Sequence, residues 1–465
     1  MELHELGLVG IAGALRRGEV SPLEATAHFL NRIAALDAGL GAFVEVTADR
    51  ALAAAAALGA PPDEAAPLWG VPLAEKDLTA RAGVRTRYGS RAFAEHVPET
   101  SDPLADALDG LGVVSLGKTN TPEFGLTGYT ESLVAPPARN PWDQSTGAGG
   151  SSGGAAVAVA AGLLPAAPAS DGGGSIRIPA ATVGVVGLKP SRGRLPVGSG
   201  MDAPGGLAVA GPIARSVADA AALLDALTGS VPYTYATRAP GHGPFLAAAT
   251  REPGRMRIGV TTATPWDGWT DTTLSPTARG AYERAIGLLD GHHDIECLDW
   301  RPRGYPEMFT TIWRASAARI PVVDDELDAL TEPLTAWLVR EGRALPAERV
   351  LGAYQAATVF ERETIQAFAP FDAILTPALA MDPQPIGWFT DGTDPEQNFE
   401  RQCRYAPHTS FVNVAGLPAV TVPVATEGRP VSVQLIGRPG GEATILSLAA
   451  ELEAARGPLP WPEIA

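Results

Sequence analysis

Cysteine is nearly absent from this chain: Cys297 and Cys403 are the two in 465 residues, far apart and without a CxxC spacing. That disfavours a disulfide framework and a thiolate metal site, and both thiols are expected to be reduced. Histidine is sparse too, with seven residues and a single adjacent pair, His292–His293, so no metal centre is expected. Charged residues make up 19% of the chain, and acidic side chains outnumber basic ones to a formal charge of −17. A surface of that sign repels phosphate backbones, which argues against nucleic acid and anionic membranes as partners. Long hydrophobic runs are also missing. Stretches such as Ala51–Leu58 are alanine-rich and too short to cross a bilayer. The opening MELHELGLVG has no basic n-region or long apolar h-region, so no secretory leader is expected and the chain reads as soluble and cytoplasmic.

What is present is material for a large core, with 45% hydrophobic residues. Ser21-Pro22-Leu23-Glu24 predicts a capped helix start, and the apolar spacing that follows predicts a helix to about Leu36. A second helix is expected at Asp49–Leu58, a proline-rich turn at Pro61–Pro67, and a short strand at Gly70–Ala74 that delivers Lys76 and Asp77. Helix and strand then alternate through about Leu227, and 230–254 reads as a surface excursion. Strands are expected again at Met256–Val260, Phe371–Pro377, Ala419–Val424 and Val431–Ile436, with a closing helix at Ala443–Ala454. This alternation predicts one α/β domain over 1–465 built on a mixed, largely parallel sheet.

The richest stretch is 149–181, GGSSGGAAVAVAAGLLPAAPASDGGGSIRIPAA. Glycine lets backbone amides approach a ligand and converge on one point. A serine among such amides has what acyl transfer needs: a hydroxyl nucleophile beside donors for an oxyanion. A linker of this composition would be polar throughout, whereas the Ala/Val run between the two clusters is suited to burial. Two other patterns are weaker. Gly112–Thr119 satisfies GxxxxGK[ST], but its Val-Val-Ser-Leu interior predicts a core strand in place of a bent phosphate loop. Gly149–Gly153 satisfies GxSxG, but loop and not strand precedes it, and the later histidines (His242, His292, His293, His408) have ordinary surroundings.

Taken together, the chain resembles the amidase signature family. The Gly/Ser segment carries the resemblance with Gly70–Asp77 around Lys76, Gly117–Phe124, Val185–Ser191, Gly211–Ser216, Phe411–Ala419 and Gln434–Gly437, all in family order. The likeness runs over nearly the whole chain, with a signature core at about 65–225 and a more variable region at about 230–400. It implies a mixed sheet flanked by helices on both faces and a Ser-cisSer-Lys triad. In that triad Ser175 would be the nucleophile, Ser151 the bridging serine on a cis peptide, and Lys76 the base. Backbone amides of Gly172, Gly173, Gly174 and Ser175 would form the oxyanion hole, with Asp171, Arg177 and Ser152 supporting the loop. No metal or cofactor is implied.

The chemistry is coherent on its own terms. Lysine serves as a base only when neutral, so burial must bring its pKa from about 10.4 to near 7–8. A serine between lysine and nucleophile can pass the proton inward and later return one to the leaving amine. The expected activity is hydrolysis of a small-molecule carboxamide through an acyl-Ser175 intermediate, by a monomer or homodimer. The alternatives are an acyl- or amidotransferase using the same acyl-enzyme, or an esterase. Gly172 stands where many relatives carry threonine or a larger residue, and Glu75 precedes Lys76 where an apolar residue is frequent. Alternation along a strand predicts that Glu75 points away from Lys76. Tyr305, Met308, Phe309, Trp313 and Trp388 are candidates for the substrate pocket, with core packing as the alternative for each.

Overall fold

Local chemistry sets the first long helix. The Ser21 hydroxyl accepts from the Glu24 amide, the Glu24 carboxylate accepts from the Ser21 amide, and Pro22 occupies the first turn of Pro22–Leu40. The helix runs a turn beyond Leu36 because Leu40 is itself buried, and it stops where Gly41 turns left-handed at φ 63°. The computed structural model describes residues 2–60, 66–195, 205–230, 243–425 and 428–464. Residues 61–65 of the expected turn and 231–242 of the expected excursion lie outside the described residues. The remainder of that excursion holds a helix, Phe245–Ala249, whose Phe245, Ala248 and Ala249 are buried.

Three strands form a small sheet: β1 (Phe43–Val46), β2 (Pro72–Lys76) and β3 (Val114–Thr119), in the order β1-β3-β2. β3 is the stretch that mimics a phosphate loop. It is a largely buried strand, and the Lys118 amine donates to the Thr79 carbonyl. A ribbon of β4 (Arg139–Asn140) and β5 (Asp143–Gly147) leads to the main sheet. That sheet contains β6 (Ala166–Asp171), β7 (Val186–Lys189), β8 (Val209–Ala214), β9 (Arg257–Val260), β10 (Asp294–Cys297), β11 (Ala373–Pro377), β12 (Ala419–Ala425) and β13 (Val431–Gly437). Its eight strands run β10-β9-β11-β13-β12-β7-β8-β6.

The sheet is mixed, as expected, but it is not largely parallel. β10–β9 and β9–β11 are parallel, while β11–β13, β13–β12, β12–β7, β7–β8 and β8–β6 are antiparallel. Parallel neighbours need a crossover of a dozen or more residues, and the link from Ala425 to Val431 is far too short for one. Alternation of helix and strand in sequence therefore did not translate into parallel pairing.

Both faces of the sheet are covered. Ala373, Leu375, Val433 and Leu435 enter one core with Leu223, Leu224, Ile445 and Leu448 of the helices Val217–Ser230 and Glu442–Arg456. Ile374, Ala419 and Ile436 enter a second core with residues of the helices Tyr305–Ala317, Pro333–Arg343 and Ala347–Phe368. Strands buried on both sides read as unbroken apolar runs, which is why these were legible without alternation. The helix Gly153–Ala160 is buried along its whole length and packs against β2, β3, β6 and β8. Its small residues permit that approach: a side chain at Gly154 would meet the Asn120 amide and the Ala42 carbonyl.

Candidate active site

Three segments converge beneath one cavity. Lys76 ends β2, Ser151 lies just before the helix Gly153–Ala160, and Ser175 lies in the turn between β6 and the helix Arg177–Val183. The Gly150–Ser151 peptide is cis. Lys76 Nζ lies 2.7 Å from Ser151 Oγ and 3.3 Å from Ser170 Oγ. Ser151 and Ser175 line the same cavity of about 360 Å³, with Lys76 buried behind Ser151. Ser170 is a partner of the lysine that sequence reasoning missed. It sits one residue before Asp171 in β6, and no local pattern distinguishes it.

Burial dominates the electrostatics of the lysine. Desolvation lowers the Lys76 amine from 10.5 to about 7, partly opposed by the negative charge of Asp171. Glu75 does turn away from it. Its carboxylate accepts from Arg81 Nε at 2.9 Å and from Ser115 Oγ at 2.7 Å, so no anion beside Lys76 comes from that neighbour.

The glycine turn is built around Asp171. Its carboxylate accepts from Gly174 N at 2.8 Å and Ile176 N at 3.1 Å, and pairs with Arg177 through Nη2 at 2.8 Å and Nε at 2.9 Å. Both side chains of this pair are fully buried. Burial alone would raise the Asp171 carboxyl, but the Arg177 guanidinium, with the Lys189 charge and the Asn413 amide, outweighs it and holds the group well below the ordinary carboxylate range. Arg177 also donates to Thr409 O, Gln434 Oε1 and Asn413 Oδ1, which ties the turn to the distant segments 409–413 and β13. Ser152 N donates to Ser175 O at 3.1 Å, and Ser152 Oγ to Ser170 O at 3.2 Å.

One expectation for the oxyanion donors needs correction. The Gly174 amide is spent on Asp171 and is not free to meet a substrate oxygen. The amides of Gly172, Gly173 and Ser175 have no acceptor among the described residues. The pocket candidates also divide. Trp313 lines the large cavity, and Phe309 with Trp313 lines a smaller one on the far side of Ser175. Tyr305 and Met308 are core residues: the Tyr305 hydroxyl is buried against Ser410 Oγ at 2.8 Å. Their helix has a 3.6-residue repeat, so Tyr305, Phe309 and Trp313 stack along one stripe that starts in the core and reaches the cavity only at its end. Trp388 packs on Phe389 and under the Arg401 guanidinium and lines neither cavity. Tyr88, Phe93 and Phe124, which do line the large cavity, lie in a turn and in the three-residue 3-10 helices Arg91–Phe93 and Glu123–Gly125, too short for periodicity to mark them.

Other groupings lie outside this site. His292 and His293 meet Glu451, and His408 is buried against the Thr262 carbonyl; His242 is outside the described residues. Glu2, His4 and His28 place three ligand-type atoms within 4.8 Å of one another, a cluster that sequence spacing could not reveal. Burial and the nearby Arg32 guanidinium hold the His4 imidazole down at about 4, and that positive charge disfavours a cation there.

A mixed sheet covered on both faces, with a glycine–serine turn and a buried lysine meeting at one cavity, is the architecture of an amide-cleaving enzyme class. The family model described as Amidase matches residues 24–446, and the chain belongs to the amidase signature family. AmiB2 of Mycobacterium tuberculosis, itself named an amidase only provisionally, is 40% identical over 454 residues, covering 93% of this chain and 92% of its own. A glutamyl-tRNA(Gln) amidotransferase subunit of a Synechococcus species is 34% identical over 470 residues, covering 94% of this chain and 95% of its own. The solved structure of 6-aminohexanoate cyclic dimer hydrolase in complex with substrate matches with a TM-score of 0.88 at 28% identity, covering 100% of both chains. Among the described residues no helix is long and apolar enough to cross a membrane.

Proposed function

We propose that this chain acts alone as an amidase, hydrolysing a linear small-molecule carboxamide through an acyl-Ser175 intermediate. The observation that carries the reading is the buried Lys76 amine, near pKa 7 and 2.7 Å from the Ser151 hydroxyl, on the cavity that Ser175 also lines. Neutral Lys76 takes the Ser151 proton as Ser151 takes that of Ser175, and Ser175 Oγ attacks the carbonyl carbon. The free amides of Gly172, Gly173 and Ser175 receive the developing oxyanion, each worth roughly 10²–10³ in rate. The proton then returns through Ser151 to the leaving nitrogen, which departs as an amine, and water releases the acid from Ser175 by the same route. Esters share the intermediate and are expected as side substrates.

Replacing Ser175 with alanine should abolish turnover and labelling by a fluorophosphonate while leaving the thermal unfolding transition in place. Retention of most of the activity would end the assignment. The likeness to an amidotransferase subunit supports a second reading, transfer of the acyl group to an amine or use of the released ammonia. Release of free acid by the purified chain, with no acceptor amine or partner present, separates the two.

A further inference from the structure

Ser175 stands between two cavities of unequal size. The larger, about 360 Å³, contains Ser151, Ser170 and Gly172; the smaller, about 70 Å³, contains Gly173 and Phe309. Leu126 and Trp313 line both and form the wall between them. A Cβ placed on Gly172 would meet Trp313 at 3.8 Å, and one on Gly173 would meet Phe309 at 3.6 Å and Trp313 at 3.9 Å; Gly172 lines the large chamber and Gly173 the small one.

The chambers differ in chemistry as well as volume. The large one is framed by Tyr88, Phe93 and Phe124, whose rings meet edge to face at 5.3 and 5.9 Å. Arg319 and His96, the basic side chains among its lining residues, are both exposed. No acidic or basic side chain among the described residues lines the small chamber. Most of its polar side chains already have partners. Gln402 accepts from Gly128 N and donates to Asn398 Oδ1, Thr127 donates to Tyr129 O, and Thr409 donates to Gly173 O. The Ser410 hydroxyl accepts from Tyr305 and Trp266. A charged substituent there would lose water and meet no countercharge. The space holds about five to seven probe-sized occupants at roughly 10–15 Å³ each, which suits a short apolar group.

Proton return decides which part of the substrate goes where. The leaving nitrogen must come within hydrogen-bond reach of the relay hydroxyl. That hydroxyl, Ser151, lines the large chamber and not the small one. Resting on the acyl-Ser175 reading above, we infer that the site is built for secondary amides of a short apolar acid with a bulky aromatic amine. The acyl chain enters the small chamber past Gly173, and the arylamine fills the aromatic one beside Ser151. Ser175 Oγ forms its bond to the carbonyl carbon, the carbon–nitrogen bond breaks, and the arylamine leaves with the proton from Ser151. Water then releases the short acid.

Acetanilide and 2-phenylacetamide test this directly, because they are isomers that exchange the two roles. With the full-length protein, acetanilide should show a kcat/KM at least about tenfold higher, and the Ser175 peptide should carry an acetyl group. A preference for 2-phenylacetamide, with phenylacetyl on Ser175, would overturn the inference while leaving the acyl-Ser175 reading intact. Acylation of Ser175 by neither isomer nor by any ester would overturn that underlying reading instead. Phe309→Ala gives an independent arm, since Phe309 lines the small chamber and not the large one. It should raise the decananilide-to-acetanilide ratio by about tenfold, and an unchanged chain-length profile would count against the assignment. Phe93→Ala should lower anilide turnover relative to a primary acetamide, and an unaltered ratio would place the amine elsewhere.

Discussion

The Lys76 amine lies 2.7 Å from the Ser151 hydroxyl with both side chains buried, so the lysine's charge state is coupled to the hydroxyl that faces the cavity. Burial lowers that amine to about 7, and only its neutral form accepts a proton. Activity is therefore expected to rise with pH, reach half its plateau near 7, and stay high into the alkaline range. A kcat/KM profile flat from mildly acidic to alkaline pH would remove Lys76 as the base. Stability should follow the same group. Between about 7 and 10.5 the unfolded lysine holds a proton that the folded one does not. Stability then rises with pH across that window, and the burial penalty is fully present below it. Lys76→Met should abolish turnover yet raise the melting temperature at pH 6, which scanning calorimetry would read.

In the proposed relay, Ser151→Ala would interrupt the path from Lys76 to Ser175 without emptying the cavity. Amide turnover should fall by about 10²–10⁴, the usual worth of positioned proton transfer. Ester turnover should fall less, because an alkoxide leaves more readily than an amide anion. Parallel assays on an amide and an ester of the same acid compare the two losses, and equal losses would argue that Ser151 only shapes the turn.

The Asp171–Arg177 pair predicts a stability effect. Both groups are fully buried, so removing one strands the other without water. Asp171→Ala is expected to cost about 3–5 kcal/mol and to take activity with it, since the turn amides lose their acceptor. The exposed Arg301–Asp299 pair supplies the contrast, and Asp299→Ala should leave stability essentially unchanged. Urea unfolding of the two variants would expose any failure of that ranking.

Two nearby glycine positions should respond in opposite ways. Gly172 has Trp313 as its nearest obstacle at 3.8 Å, so Gly172→Ala is expected to fold and to gain about 0.4–1 kcal/mol from a less flexible unfolded chain. Gly174 has φ 132°, and a side chain there would strike Thr409 and reach within 2.7 Å of Ile178 Cδ1. Gly174→Ala should lower the melting temperature and lose fluorophosphonate labelling. Equal behaviour of the two variants would mean that the turn is less constrained than its contacts imply.

The helix caps, the strand ending at Lys76, the two glycine clusters and the arginine after Ser175 were all legible in the chain. Each is a local matter: a periodicity, a capping residue, or a backbone that only glycine accommodates. Tyr305, Met308 and Trp388 were not resolvable from the cavity residues, because an aromatic or other large apolar side chain looks the same in sequence whether it faces a core or a ligand. Tyr88, Phe93 and Phe124 gave no periodic signal at all, being in a turn and in single 3-10 turns too short to show one.

By itself, then, the order of residues determined which side chains are chemically equipped and which segments become helix or strand, since those depend on neighbours a few positions away. Tertiary structure alone decided that most strands of the main sheet pair antiparallel, that Ser170 joins Lys76, and that Gly174 gives its amide to Asp171. It also decided that Trp313 divides two chambers around Ser175. Each of these is a contact settled by which surfaces can be buried together and not by any pattern along the chain.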